Sequence, residues 1–243
     1  MLLAVDIGNT SIKFGVFDGE TLKHRTSIPT DSGRLPETLG SLDKVSRAII
    51  CSVVPAGKIR TVAVINDRFG IDSHVVSHRD NLGLTVRHEP IDTLGTDRLI
   101  NAFAAAARYG TPVIVCSFGT ATTIDVVNEN MELLGGLIAP GMVTSAKALH
   151  LNTACLPEVE PGPADSVINH TTESSIRAGL FYSQIGLVEA AVSRARKEIG
   201  GKAKVVATGG FARMIAEHCD VIDAIDDDLV LKGLQLLDGR LRS

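Results

Sequence analysis

A chain of 243 residues with 44% hydrophobic and 21% charged residues has room for one large domain or two ordinary ones, and its composition excludes a disordered chain. A formal net charge of −4 without any basic cluster argues against a nucleic-acid surface, and no apolar run reaches the ~20 residues that span a bilayer. Tryptophan is absent and aromatics make up 4%, so the core has to be built from Val, Ile, Leu and Ala.

Residues 2–5 and 12–17 read as two strands around a tight turn, Asp6-Ile-Gly8-Asn9-Thr10-Ser11, with Lys13 at the start of the second strand. Asp18-Gly19 is a hairpin signal that leads into a third strand over residues 22–27. A lone carboxylate at a strand end, followed by small hydroxyls and glycine, suits a phosphate with its Mg²⁺; an ordinary hairpin whose Asp and Asn serve the turn is the other reading. Residues 35–42 form a short helix candidate, and 47–54 an apolar strand buried on both faces and stopped by Pro55. A helix over 58–68 carrying Ile59, Val62 and Ile65 follows, then a brief strand over 73–76.

After an irregular stretch, Gly95-Thr96-Asp97-Arg98 opens an Ala-rich helix that Gly110 and Pro112 end. Asp97 in the first turn complements the helix dipole and needs no further role for that. Arg98 has the wrong sign for the dipole, so a nearby anion makes better sense of it, and the corner reads as one that handles anions and hydroxyls.

The second half repeats the plan of the first. Residues 112–118 lead into Gly119-Thr120-Ala121-Thr122, a second strand follows, Asn128-Glu-Asn130 turns, and a third strand over 131–138 ends at Pro140-Gly141. This points to an internal duplication with two phosphate loops and a nucleotide held in the cleft between the halves. A β-rich hairpin whose threonines serve strand propensity is the simpler reading of the second loop. Residues 142–151 form a helix, and Thr171 or Thr172 opens a long one reaching about residue 199, with Gly179 and Gly186 on one face for a close helix approach. A strand over 204–207 delivers Gly209-Gly210 to a helix over 211–218, where bare backbone can approach a flat ligand such as adenine or ribose. Asp226-Asp-Asp228 reads as an acidic cap on a last helix. The cysteines, Cys51, Cys116, Cys155 and Cys219, lie far apart without a C-x-x-C, which speaks against a zinc site or disulfide framework. The N-terminus lacks the basic start of a signal peptide, so a cytoplasmic location is expected.

The order of these motifs resembles type III pantothenate kinase, of the acetate-and-sugar-kinase/Hsp70/actin superfamily. It rests on Asp6-x-Gly8-Asn9-Thr10 with Lys13, Ser52-Val-Val-Pro55, Gly95-Thr96-Asp97-Arg98 and Gly119-Thr-Ala-Thr122. Gly135-Gly136 leading to Pro140-Gly141, Thr153-Ala154 with Leu156-Pro157, and Thr208-Gly-Gly210 extend it over nearly the whole chain. The resemblance implies an α/β fold of duplicated ribonuclease H-like (actin-like ATPase) domains, residues 1–110 and 111–243, each a mixed sheet with flanking helices. It implies ATP-dependent phosphorylation of pantothenate to 4′-phosphopantothenate, the first step of coenzyme A synthesis, by a homodimer. By position, Asp97 is the general base. Arg87, Gly95, Thr96, Arg98 and Thr172 line the pantothenate pocket. Asp6, Gly8, Asn9, Thr10, Ser11, Lys13, Thr120, Gly209 and Gly210 bind ATP, with Mg²⁺ near Asp6. Three positions depart from the family pattern. Ser117 stands where the family has an Asp that ligates an activating K⁺ or NH₄⁺, and Arg87 and Glu89 align with a Tyr and an Asn, His88 taking the Tyr place if the loop slips by one. Another small hydroxylated substrate, or an accessory protein that kept the fold without catalysis, are the competing readings.

Overall fold

The computed structural model describes residues 1–42 and 44–242. The chain runs β1 (Leu2–Ile7), β2 (Ser11–Asp18), β3 (Thr21–Pro29), α1 (Leu35–Gly40), β4 (Arg47–Ser52), α2 (Pro55–Phe69), β5 (Ser73–Val75), β6 (Thr85–Val86) and α3 (Thr96–Tyr109). It continues through β7 (Val113–Phe118), β8 (Ala121–Val127), β9 (Glu132–Pro140), α4 (Met142–Leu151), α5 (Thr172–Glu198), β10 (Lys204–Thr208), α6 (Ala212–Ala216), β11 (Ala224–Ile225) and α7 (Leu229–Arg240). It divides into two compact units, Met1–Arg108 with Asp228–Ser243, and Tyr109–Asp227.

In the first unit the sheet order is β3-β2-β1-β4-β5, with β1 antiparallel to β2 and parallel to β4. In the second unit the strands run β11-β10-β7-β8-β9, with β7 antiparallel to β8 and parallel to β10. The two orders are the same plan read from opposite ends, so the duplication expected from the two strand–loop–strand stretches is present in the topology.

Every residue of β1 is buried, as expected for a central strand covered on both faces. One face packs Leu3, Val5 and Ile7 with Phe14, Leu35, Leu39 and Ile65 of the neighbouring elements. Against the sheet of this unit also packs α7, so a single division at residue 110 leaves out the return of the chain at Asp228. The helix comes close because Gly233 sits against Ile100 and Ala104 of α3. In the second unit α5 lays Ile176, Leu180, Phe181, Ile185, Val188 and Val192 on the sheet.

Several local expectations need correction. In α2 the buried stripe is Gly57, Thr61 and Ile65, while Ile59 is 69% exposed. The bare Cα of Gly57 lies against Ile7, which turns that stripe inward. The short helix near 211–218 is regular only over Ala212–Ala216. Gly179 and Gly186 are exposed, and nothing outside their own stretch of helix comes within 4 Å of where a Cβ would stand, so among the described residues no other helix packs on them. The acidic triplet is not one cap. Tyr109 donates its hydroxyl to Asp226 at 3.1 Å, Arg213 donates to Asp227 at 3.0 Å, and Arg25 pairs with Asp228 at 3.0 Å; Asp228, at the N-cap, makes no side-chain capping bond. At α5 the capping box is Thr171 with Ser174. Cys51, Cys116 and Cys219 are buried and Cys155 is exposed, all as free thiols. Among the described residues no helix is long and apolar enough to cross a membrane.

Candidate active site

In the first unit the register brings the chemistry together. Asp6 lies opposite Lys13 across β1–β2 and opposite Cys51 across β1–β4. The Lys13 Nζ is 3.7 Å from Asp6 Oδ2, and the Cys51 thiol donates to Asp6 Oδ1 at 3.2 Å. Burial pushes the Asp6 carboxyl above its usual range, Lys13 pulls it back, and the carboxylate of Asp97 pushes it up again. Burial and the adjoining Asp6 and Asp97 charges also push the Cys51 thiol well above its usual range, so it stays a neutral donor. A buried acid that resists ionisation, with a second carboxylate in its field, is a place where a divalent cation lowers the energy of both. The residues therefore fit a Mg²⁺ carried by a phosphate ligand. Ahead of Asp6, the turn closes through the Gly8 N–H donating to Ser11 at 3.0 Å, and Asn9 and Thr10 stand exposed at its tip.

The Gly95–Arg98 corner is built onto the end of β4. The Thr96 hydroxyl donates to the Ser52 carbonyl and accepts from the Ser52 N–H, both at 3.2 Å, so it is committed to joining α3 to that strand. His78 donates to the Leu94 carbonyl at 2.7 Å; a carbonyl only accepts, so its Nε2 carries the proton. Half-buried Asp97 accepts the Arg98 N–H through Oδ1 at 2.8 Å, which fixes one carboxylate oxygen at the helix start. That carboxylate folds back over Gly95, where a Cβ would stand 2.5 Å from Oδ1. Arg98 is buried, at 8% exposed, beside it. Arg87 follows β6 and is exposed.

The second unit has the same corner with different chemistry. Ser117-Phe118-Gly119 at the end of β7 occupies the place that Asp6-Ile7-Gly8 occupies at the end of β1, and Gly119 likewise closes its turn, onto Ala121 at 3.0 Å. Ser117 pairs with Thr123 and Thr208, so neutral hydroxyls stand where the first unit has Asp6 and Lys13. Gly209 takes a left-handed φ of 98° and lies so close to the Phe118 backbone that no Cβ fits. This sets Gly209-Gly210 against the base of the Thr120 loop. Thr172 is exposed at the first position of α5, away from this corner in sequence.

Sequence reasoning missed two supports. Cys51 is the neighbour of Asp6 by register alone. Gln184 is buried; it accepts from the Thr122 hydroxyl at 2.6 Å and donates to the Pro140 carbonyl at 3.2 Å, tying both strand ends at the second loop. A polar residue between Leu180 and Val188 on the apolar stripe of α5 was the available signal.

Comparison with known proteins bears on the family and the fold. A family model described as type III pantothenate kinase matches residues 2–194. A type III pantothenate kinase of Paramagnetospirillum magneticum is 41% identical over 248 residues, covering 96% of this chain and 95% of that protein. One from Geobacillus kaustophilus is 36% identical over 249 residues, with 98% and 96% covered. Among solved structures, a Campylobacter jejuni protein named for the Baf family of transcriptional activators has a TM-score of 0.66 at 20% identity, with 99% and 98% of the two chains covered. A Sinorhizobium meliloti structure named for 2-dehydro-3-deoxygalactonokinase has a TM-score of 0.61 at 16% identity, with 99% of each covered. At such identities the structures speak for a shared fold, that of the actin-like ATPases and sugar kinases. With the family model and the full-length relatives, the conclusion is plain: this chain belongs to the type III pantothenate kinase family.

Proposed function

We propose that this protein transfers the terminal phosphoryl group of ATP to the primary hydroxyl of pantothenate, giving 4′-phosphopantothenate in the first step of coenzyme A synthesis. The observation that carries the proposal is Asp97, held at the start of α3 by the Arg98 N–H and lying in the electrostatic field of Asp6. Phosphoryl transfer asks mainly for positioning, charge neutralisation and an oriented nucleophile. Asp97 accepts the proton of the pantothenate hydroxyl as the new bond to phosphorus forms, and Arg98 offers positive charge to the substrate carboxylate. Gly95 gives the Asp97 carboxylate its room, and Thr96 anchors the helix that carries it. Arg87 and Thr172 complete the substrate side.

Asp6, the Gly8–Ser11 turn and Lys13 hold the phosphates and their metal, Thr120 contacts the phosphates, and Gly209-Gly210 faces the adenosine. Asp6 would hold a Mg²⁺ that arrives with the phosphates, and the ion would supply neutralisation of the charge that develops there. Ser117 offers a monovalent cation a hydroxyl in place of a carboxylate, a weaker ligand for K⁺ or NH₄⁺.

A homodimer is part of the same proposal. Leu134, Ile138, Val143, Leu151, Val167 and Ile168 of the second unit are all exposed, between 38% and 78%. Exposed apolar side chains of this kind, and the bare positions of α5 at Gly179 and Gly186, suit burial against a second copy. A cytoplasmic location fits an enzyme fed by ATP.

The test is ADP release by the purified protein with Mg-ATP, with and without pantothenate, in potassium, ammonium and sodium salts. Pantothenate-dependent release supports the kinase, and a flat salt series fits Ser117 as a poor cation ligand. No release in any salt favours an accessory protein.

A further inference from the structure

We propose that Thr30 is a positioning residue for ATP: it locks the Gly8–Thr10 turn in the shape that receives phosphate. This rests on the reading of that turn as the phosphate loop. A cavity of about 580 Å³ opens beside Asn9 and Thr10, with Thr30, Asp31, Val54 and Arg60 among its other walls. Close packing therefore does not hold the turn on that side.

Hydrogen bonds converging on Thr30 hold it instead. Its hydroxyl donates to the Gly8 carbonyl at 2.7 Å, and its N–H donates to the Thr10 carbonyl at 3.1 Å. Its own carbonyl accepts from the Arg60 guanidinium, which ties the assembly to α2. The two carbonyls of the turn are thus drawn to the same side. In a planar trans peptide the N–H points opposite to the C=O. Fixing the Gly8 and Thr10 carbonyls toward Thr30 therefore turns the Asn9 and Ser11 N–H groups the other way. Donors set in advance cost no reorganisation when an anion arrives. Without the Thr30 hydroxyl the Gly8–Asn9 peptide is free to rotate, and a peptide flip would bring the carbonyl oxygen toward the phosphate.

The experiment compares wild type with Thr30→Val, Thr30→Ser and Lys13→Ala by steady-state kinetics and thermal melting. Valine keeps the shape of threonine and loses the donor. A net hydrogen bond of about 0.5–1.5 kcal/mol corresponds to roughly 2- to 12-fold. Thr30→Val is expected to raise the KM for ATP within that range and to leave the KM for pantothenate unchanged. Thr30→Ser is expected to restore the wild-type value. An unchanged KM for ATP in Thr30→Val, with Lys13→Ala raising it, overturns the positioning role and leaves the phosphate-loop reading standing. If Lys13→Ala also leaves it unchanged, both fall. Equal rises in both KM values with a lowered melting temperature, not rescued by serine, would mean a structural role only and overturn the proposal.

Discussion

Replacing Gly95 by alanine tests whether the position of the Asp97 carboxylate matters to turnover. The added Cβ would lie 2.5 Å from Asp97 Oδ1 and 3.5 Å from Val53 Cγ1. The second distance is ordinary contact; the first is not. Carbon and oxygen settle at roughly 3.3–3.6 Å, so the carboxylate has to move by about 1 Å. It is the far end of a side chain with two torsions, and φ at Gly95 lies outside the left-handed region, so the fold absorbs the methyl group cheaply. What is lost is the 2.8 Å hydrogen bond from Arg98 and the aim of the base. A misplacement of about 1 Å costs on the order of 100-fold in rate. Coupled ADP-release assays should therefore show kcat reduced by about that factor, with the KM for ATP and the melting temperature close to wild type. A kcat within a factor of two of wild type would refute the reasoning, because it would mean that the carboxylate is not where the chemistry happens.

Other consequences follow from buried groups and close contacts. Because burial raises the proton affinity of Asp6, the folded protein holds a proton over a pH range in which the unfolded chain has already released it. The stability from this group is full below the ordinary carboxylate range and is lost as pH rises through the raised folded value. Asp6→Asn should thus melt higher than wild type at neutral pH, with the gap closing in acid, while nucleotide affinity falls; melting curves across pH that coincide would contradict this. Gly233→Ala puts a Cβ 2.7 Å from Ile100 Cγ2 and 2.9 Å from Ala104 Cβ. Overpacking costs about 1–3 kcal/mol, more than the ~1 kcal/mol that alanine gains over glycine in a helix, so urea unfolding should show a net loss of stability. Ser117→Asp restores a carboxylate to the second loop, and its turnover should respond to potassium or ammonium over sodium more strongly than that of wild type.

What was legible in the sequence was whatever is carried by contiguous residues. The strand–turn–strand stretches at Asp6 and Gly119 gave both sheets their first three strands and the duplication, because alternation and turn chemistry act within a few residues. The pairing of Asp6 with Lys13 follows directly from hairpin register. The joint between Thr96 and Ser52 could not be read, since it spans 44 positions and involves two common side chains. The same holds for α7, whose apolar stripe does not say which sheet it covers. The acidic triplet misled because three adjacent aspartates look like one cap, whereas each points to a different basic or hydroxyl partner. Gly179 and Gly186 were readable as a bare helix face, but nothing in one chain says what covers it.

The central claim is that Asp97 takes the proton from the pantothenate hydroxyl, and Asp97→Asn tests it most directly. Asparagine keeps the size of the side chain and the acceptor for the Arg98 N–H, and removes the base. General-base catalysis typically contributes 10²–10⁴-fold. Formation of 4′-phosphopantothenate and ADP should fall by a factor in that range, with Mg-ATP binding, measured by calorimetry on the same preparations, close to wild type. Undiminished product formation by Asp97→Asn would contradict the account.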